Sequence, residues 1–98
     1  MAYVFMVRYK LKDEVNKDDF KKSVKKVVTN FYDKQEGFIS LNLGYNEKEN
    51  IFSEVHTWKE KSFTETAHPK FMGDKNCLAV FGMCEMESMS MTDLTLLD

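Results

Sequence analysis

Residues 51–58 read Ile51-Phe52-Ser53-Glu54-Val55-His56-Thr57-Trp58. The stretch is rich in β-branched and aromatic residues and holds no glycine or proline, which predicts a strand. Side chains alternate across a strand, so Phe52, Glu54, His56 and Trp58 share one face and Ile51, Ser53, Val55 and Thr57 the other. Both faces need cover: Phe52 and Trp58 ask for it on one side, Ile51 and Val55 on the other. Glu54 and His56 are ionisable groups on the aromatic side, with neighbours on that face ~6.5–7 Å apart along the strand.

Working toward the N-terminus, Asn46-Glu47-Lys48-Glu49-Asn50 is a polar loop of hairpin length. Before it, Ile39, Leu41, Leu43 and Tyr45 alternate with Ser40, Asn42 and Gly44, a second strand. Gly37 is the stop for a helix predicted over 17–35. Phe20, Val24, Val27, Val28 and Phe31 form its apolar stripe at helical period. Asn16 is placed to cap it, and Asp18 and Asp19 suit the positive end of the helix dipole. Lys21, Lys22, Lys25 and Lys26 form its solvated face. The first strand spans 2–12. Tyr3, Phe5, Val7, Tyr9 and Leu11 are apolar, and the intervening Ala2, Val4 and Met6 give way to Arg8 and Lys10.

Toward the C-terminus, Lys59–Ala67 reads as a short helix broken at His68-Pro69, because a residue before proline avoids the α region. Pro69 then suits the first turn of a further helix carrying Phe71, Met72, Leu78 and Phe81. From Met83 onward alternation predicts the last strand, and Leu94, Leu96 and Leu97 need cover.

The order is β-α-β-β-α-β in a single domain, residues 1–98. The expected class is α+β: a ferredoxin-like antiparallel sheet with helices on one face. A sheet covered on one face should be polar on the other. Here Val4, Met6, Ile51 and Val55 would be left uncovered, and an apolar patch of that kind marks an interface. The expected partner is a second copy, packed sheet to sheet into an α+β barrel.

Composition narrows the function. The charge balance of 14 basic against 16 acidic residues gives a net charge of −2, which argues against nucleic acid or an anionic membrane as partner. No apolar run approaches the ~20 residues of a membrane span. The N-terminus lacks a signal-peptide layout, so the cytoplasm is expected. Two cysteines, Cys77 and Cys84, make neither a disulfide scaffold nor a zinc site, and the two histidines lack metal-ligand spacing, so no metal is expected.

Several short stretches resemble antibiotic-biosynthesis-monooxygenase-like domains of the dimeric α+β barrel superfamily. They are Gln35-Glu36-Gly37-Phe38 opening the second strand, Phe52 to Lys59 with its terminal tryptophan, Ser62-Phe63, and His68-Pro69-Lys70-Phe71. The resemblance implies a dimer with a pocket between sheet and helices, lined by Trp58. It also implies chemistry on small molecules, including oxidation of quinone-like or polyketide aromatics with O₂ and no bound cofactor. Haem-degrading members carry a helix histidine where this chain has Asp74, so haem degradation is not expected.

His56 could act as a general base tuned by Glu54, and Trp58 could stack on a flat ligand. His68, expected at a helix start, would be held neutral by the dipole and is a second catalytic candidate. Glu54, Asn42, Trp58 and Phe71 are the candidate substrate-binding residues. Tyr3, Tyr9, Tyr32 and Tyr45 offer hydroxyls, but no motif surrounds them. The functional expectation is a compact aromatic or quinone-like substrate oxidised by a cofactor-independent monooxygenase. The alternative is a non-catalytic ligand-binding or sensing dimer.

Overall fold

In the computed structural model, which describes residues 1–97, β1 (Tyr3–Tyr9) is followed by α1 (Lys17–Asn30), β2 (Phe38–Asn46) and β3 (Ile51–Trp58). Then come α2 (Lys61–Phe71), α3 (Lys75–Met83) and β4 (Ser90–Thr95). Short 3₁₀ turns sit at Tyr32–Lys34 and Met86–Ser88. The four strands form one antiparallel sheet in the order β2-β3-β1-β4. This is the ferredoxin-like arrangement, with the second helical segment split in two.

The pairing aligns the faces. Phe5 lies opposite His56, Val7 opposite Glu54 and Tyr9 opposite Phe52. On the other side of β3, Leu41 lies opposite His56 and Leu43 opposite Glu54. All of these project toward the helices. There Phe20, Val24 and Val27 of α1, Ala67 of α2, and Cys77 and Val80 of α3 are buried with Tyr3, Val7, Tyr9, Phe52 and Trp58 of the sheet. Every second residue of β3, from Phe52 to Trp58, is buried on this side.

Local chemistry explains the element ends. The Asn16 side chain accepts from the backbone N–H groups of Asp18 and Asp19, at 2.8 and 3.1 Å, and so caps α1. Gly37 takes φ of +82°, and a Cβ there would sit 2.2 Å from the Phe63 ring. Only glycine serves both the left-handed turn and the close approach of α2. Asn50 closes the β2–β3 hairpin with φ of +57°.

Five details depart from the sequence reading. A bulge between Phe38 and Ser40 turns Phe38 to the helix side and leaves Ile39 out, 51% exposed, so Ile39 does not share the face of Leu41. Helix α2 runs through Pro69, which stands two residues from its end. The helix after it begins instead at Asp74, whose carboxylate accepts from the N–H groups of Asn76 and Cys77 at 2.9 Å each. The last strand starts at Ser90 rather than Met83, because α3 extends to Met83 and a 3₁₀ turn follows. Finally, β1 ends at Tyr9, with Leu11 reduced to a single bridge to Cys84.

Candidate functional site

Between the sheet and the three helices lies a cavity of about 250 Å³. That is larger than the roughly 150 Å³ that admits benzene and below the roughly 300 Å³ at which drug-sized sites begin. Phe5, Val7, Leu41, Val24, Val27, Phe71, Val80 and Phe81 make its walls apolar, and Met72, Met89 and Met91 add flexible thioethers.

The polar groups converge on Glu54. Its Oε1 lies 2.8 Å from His56 Nε2, and its Oε2 accepts from the Tyr9 hydroxyl. Glu54 is 8% exposed and His56 3%, so the couple is withdrawn from water while bordering the cavity. Burial of a carboxylate is costly unless its oxygens are hydrogen-bonded, and here both are. Burial and the nearby Glu54 carboxylate push the Tyr9 and Tyr32 hydroxyls well above the ordinary tyrosine value. The same causes, with Asp74 ahead of Glu54 for Cys77, push the thiols of Cys77 and Cys84 up to about 12. All four groups therefore stay neutral, and of them only the Tyr9 hydroxyl donates to the Glu54 carboxylate.

The Glu54–His56 bond also sets what the imidazole can do. A carboxylate only accepts, so Nε2 carries a proton, and in the neutral ring Nδ1 holds the lone pair. Nδ1 has no hydrogen-bond partner among the described residues. A proton arriving at Nδ1 makes an imidazolium already paired with Glu54. This is the arrangement of a general base with an orienting carboxylate.

The other expected site residues divide. His68 and Phe71 line the cavity. The Phe5 ring lies between the histidines, with centroids 5.7 Å from His56 and 5.4 Å from His68. His68 does not start a helix; it lies in the last turn of α2, where the dipole has the opposite sign. Its imidazole is instead held below the ordinary histidine value by burial first and by His56 second. Trp58 is not at the cavity. It is fully buried one step further along β3, its ring centroid 5.3 Å from Phe38 and 6.2 Å from Tyr32. It has no hydrogen bond from Nε1 among the described residues. Asn42 pairs with Val55 on the opposite face of the sheet, away from the cavity. Tyr9 and Tyr32, by contrast, enter the site without having been singled out. Tyr9 shares strand parity with Phe5, a signal that becomes useful only once β1 is known to neighbour β3.

No family model matches the sequence, and no curated protein matches it. Solved structures do. SnoaB, a cofactor-independent oxygenase from Streptomyces nogalater, superposes with a TM-score of 0.76 at 16% identity, over 99% of this chain and 94% of that one. The fold is one that this chain shares with that oxygenase. A candidate antibiotic biosynthesis monooxygenase from Nitrosomonas europaea has a TM-score of 0.73 at 13% identity, over 98% and 90% of the chains. A dimeric ferredoxin-like protein of unknown function from Jannaschia sp. has a TM-score of 0.70 at 13% identity, over 98% and 100%. At these identities the likeness establishes the fold; no substrate follows from it.

Proposed function

We propose that the protein is a homodimeric α+β barrel that binds a compact aromatic or quinone-like molecule in this cavity and oxidises it with O₂, without a bound cofactor. The observation that carries the reading is a single buried Glu54–His56 couple on an otherwise apolar wall. His56 removes a proton from a bound hydroquinone or anthrone, and Glu54 stabilises the imidazolium. The resulting electron-rich anion reduces O₂. For an anthrone, a methylene becomes a carbonyl, one oxygen atom stays on carbon, and the other leaves as water. His68, held neutral beside Phe5, is the second proton acceptor in this scheme. Phe71 contributes apolar contact to the bound ring.

The dimer rests on the other sheet face. Val4, Met6, Val55 and Leu94 project there, away from the helices, and Leu94 is 43% exposed. A second copy covering them supplies the sheet-to-sheet contact of an α+β barrel; the Jannaschia protein of the same fold is dimeric. Among the described residues no helix is long and apolar enough to cross a membrane. Both cysteines are free and buried, which suits the reducing cytoplasm.

A second reading, a ligand-binding or sensing dimer without chemistry, is favoured by one observation: Trp58 stands outside the cavity, so its indole does not stack on a substrate there. Oxygen uptake separates the two readings. With a panel of hydroquinones and anthrones, the wild type consumes O₂ and His56→Ala slows by about a hundredfold or more, the range for loss of a general base. No uptake by the wild type, or equal uptake by the variant, removes the oxygenase reading.

A further inference from the structure

The polar groups lining the cavity can be sorted by what already occupies them. Both oxygens of Glu54 are engaged, by His56 and Tyr9. The Tyr9 hydroxyl is spent on Glu54, and the Cys84 thiol donates to the Val80 carbonyl at 3.4 Å. The Cys77 thiol is held protonated by burial first and by the Asp74 carboxylate second. That leaves His56 Nδ1, the rim group His68, and one more: the hydroxyl of Tyr32.

Tyr32 sits in the 3₁₀ turn after α1, and its ring stands edge-on to His56 with centroids 5.0 Å apart. The residue is 5% exposed, yet its hydroxyl has no hydrogen-bond partner among the described residues and is not a sealed, unpaired atom. Tyr32 lines the cavity together with Glu54, His56 and Cys77, and its hydroxyl is the one side-chain polar group it brings there. Burial keeps it protonated, a donor over the whole accessible pH range.

We infer that Tyr32 and His56 form a donor–acceptor pair that recognises one oxygen substituent of the ligand, so that the cavity selects compact aromatics bearing an ionisable hydroxyl. This rests on the ligand-binding part of the proposed function and adds a residue and a chemical requirement to it. The ligand hydroxyl gives its proton to His56 Nδ1, forming an imidazolium paired with Glu54. The oxygen left behind carries the negative charge and accepts from the Tyr32 hydroxyl. No bond other than O–H breaks, and no electron leaves the ligand. A ligand without the hydroxyl proton leaves Nδ1 unpaired and loses discrimination accordingly.

4-Nitrophenol is a suitable probe, because its neutral and anionic forms differ in colour and it fits a one-ring cavity. 4-Nitroanisole, the O-methyl ether, has the same ring without the proton. The wild type is expected to bind 4-nitrophenol with the anion's absorbance and to bind 4-nitroanisole at least tenfold more weakly. Tyr32→Phe is expected to weaken 4-nitrophenol binding about tenfold while leaving 4-nitroanisole unchanged. The substitution removes no hydrogen bond of the folded chain, and an unchanged circular dichroism spectrum and melting curve establish that the variant is folded. Equal binding of the two probes by the wild type, binding of neither, or an equal effect of Tyr32→Phe on both overturns the inference. Neither probe needs O₂, so a wild type that discriminates between them but consumes no oxygen with anthrones loses the oxidation and keeps the recognition pair.

Discussion

The two faces of β3 invert the usual rule. On the helix side, a carboxylate and an imidazole are buried beside Phe52 and Trp58; on the other side, Ile51 and Val55 are only half-buried. Polar groups are inside and apolar groups are partly outside, one residue apart along the same strand. On the buried side Glu54 pairs His56 Nε2 and the Tyr9 hydroxyl at once, within one chain. The open side has no such closure within one chain. The difference teaches that the candidate site belongs to the monomer's interior and that the uncovered face has another use, which we assign to a second copy.

Substitutions at neighbouring positions break this contrast most sharply. Glu54→Ala leaves the His56 Nε2–H and the Tyr9 hydroxyl buried without an acceptor and should cost about 2–5 kcal/mol of stability in urea unfolding, at about 1–3 kcal/mol for each unsatisfied donor. Val55→Ser, one residue away on the open side, should cost the monomer about 1 kcal/mol or less. Equal costs would mean that the two faces are not different in kind. Gly37→Ala, at the turn that lets Phe63 approach, should cost about 1–2 kcal/mol for the left-handed backbone alone, and more because Phe63 must move. Met6→Glu, on the open face, should leave the monomer's circular dichroism intact and weaken self-association at least tenfold by sedimentation. A wild type that stays monomeric at high concentration ends the two-copy account.

pH probes the buried side with smaller steps. Folding holds Cys77, Cys84, Tyr9 and Tyr32 in their neutral forms, so their pKa values lie above those of the unfolded chain. The unfolded chain therefore releases protons first as the pH rises. Stability should be complete below the unfolded thiol value near 9.0 and fall as the pH climbs toward 12, visible as a dropping melting temperature. Cys77→Ala and Cys84→Ala should flatten the first part of that fall. His68 works in the opposite sense. Its folded value is depressed, so the unfolded chain takes up the proton first, and stability is lost as the pH falls below the unfolded value of 6.5. His68→Gln should remove that acid component, the smallest of these effects because the side chain is partly exposed.

How much of this was legible in the sequence follows from the range of each interaction. Alternation set the faces of β3, and Glu54 and His56 emerged as a pair because they are two residues apart on one face. The Asn16 cap and the Gly37 stop were equally local. Ile39 could not be placed, since a bulge shifts parity without changing composition. Pro69 was misread as a break because local preference disfavours the preceding residue in a helix, whereas here the helix continues past it. That error carried His68 to the wrong helix end and reversed its dipole argument. Tyr9 reaches Glu54 across 45 positions, and no local pattern marks such a partner. Trp58 was assigned to the pocket by resemblance; the packing of Phe38 and Tyr32 places it in the core instead.

The central claim is that Glu54 prepares His56 as a base, with its proton on Nε2 and its lone pair on Nδ1. Nitrogen-15 chemical shifts of the His56 ring at neutral pH test this directly in the ligand-free protein. The account predicts a protonated Nε2 and an unprotonated Nδ1 in the wild type, and a mixture of tautomers in Glu54→Ala. A wild-type ring protonated on Nδ1 with a bare Nε2 would contradict it.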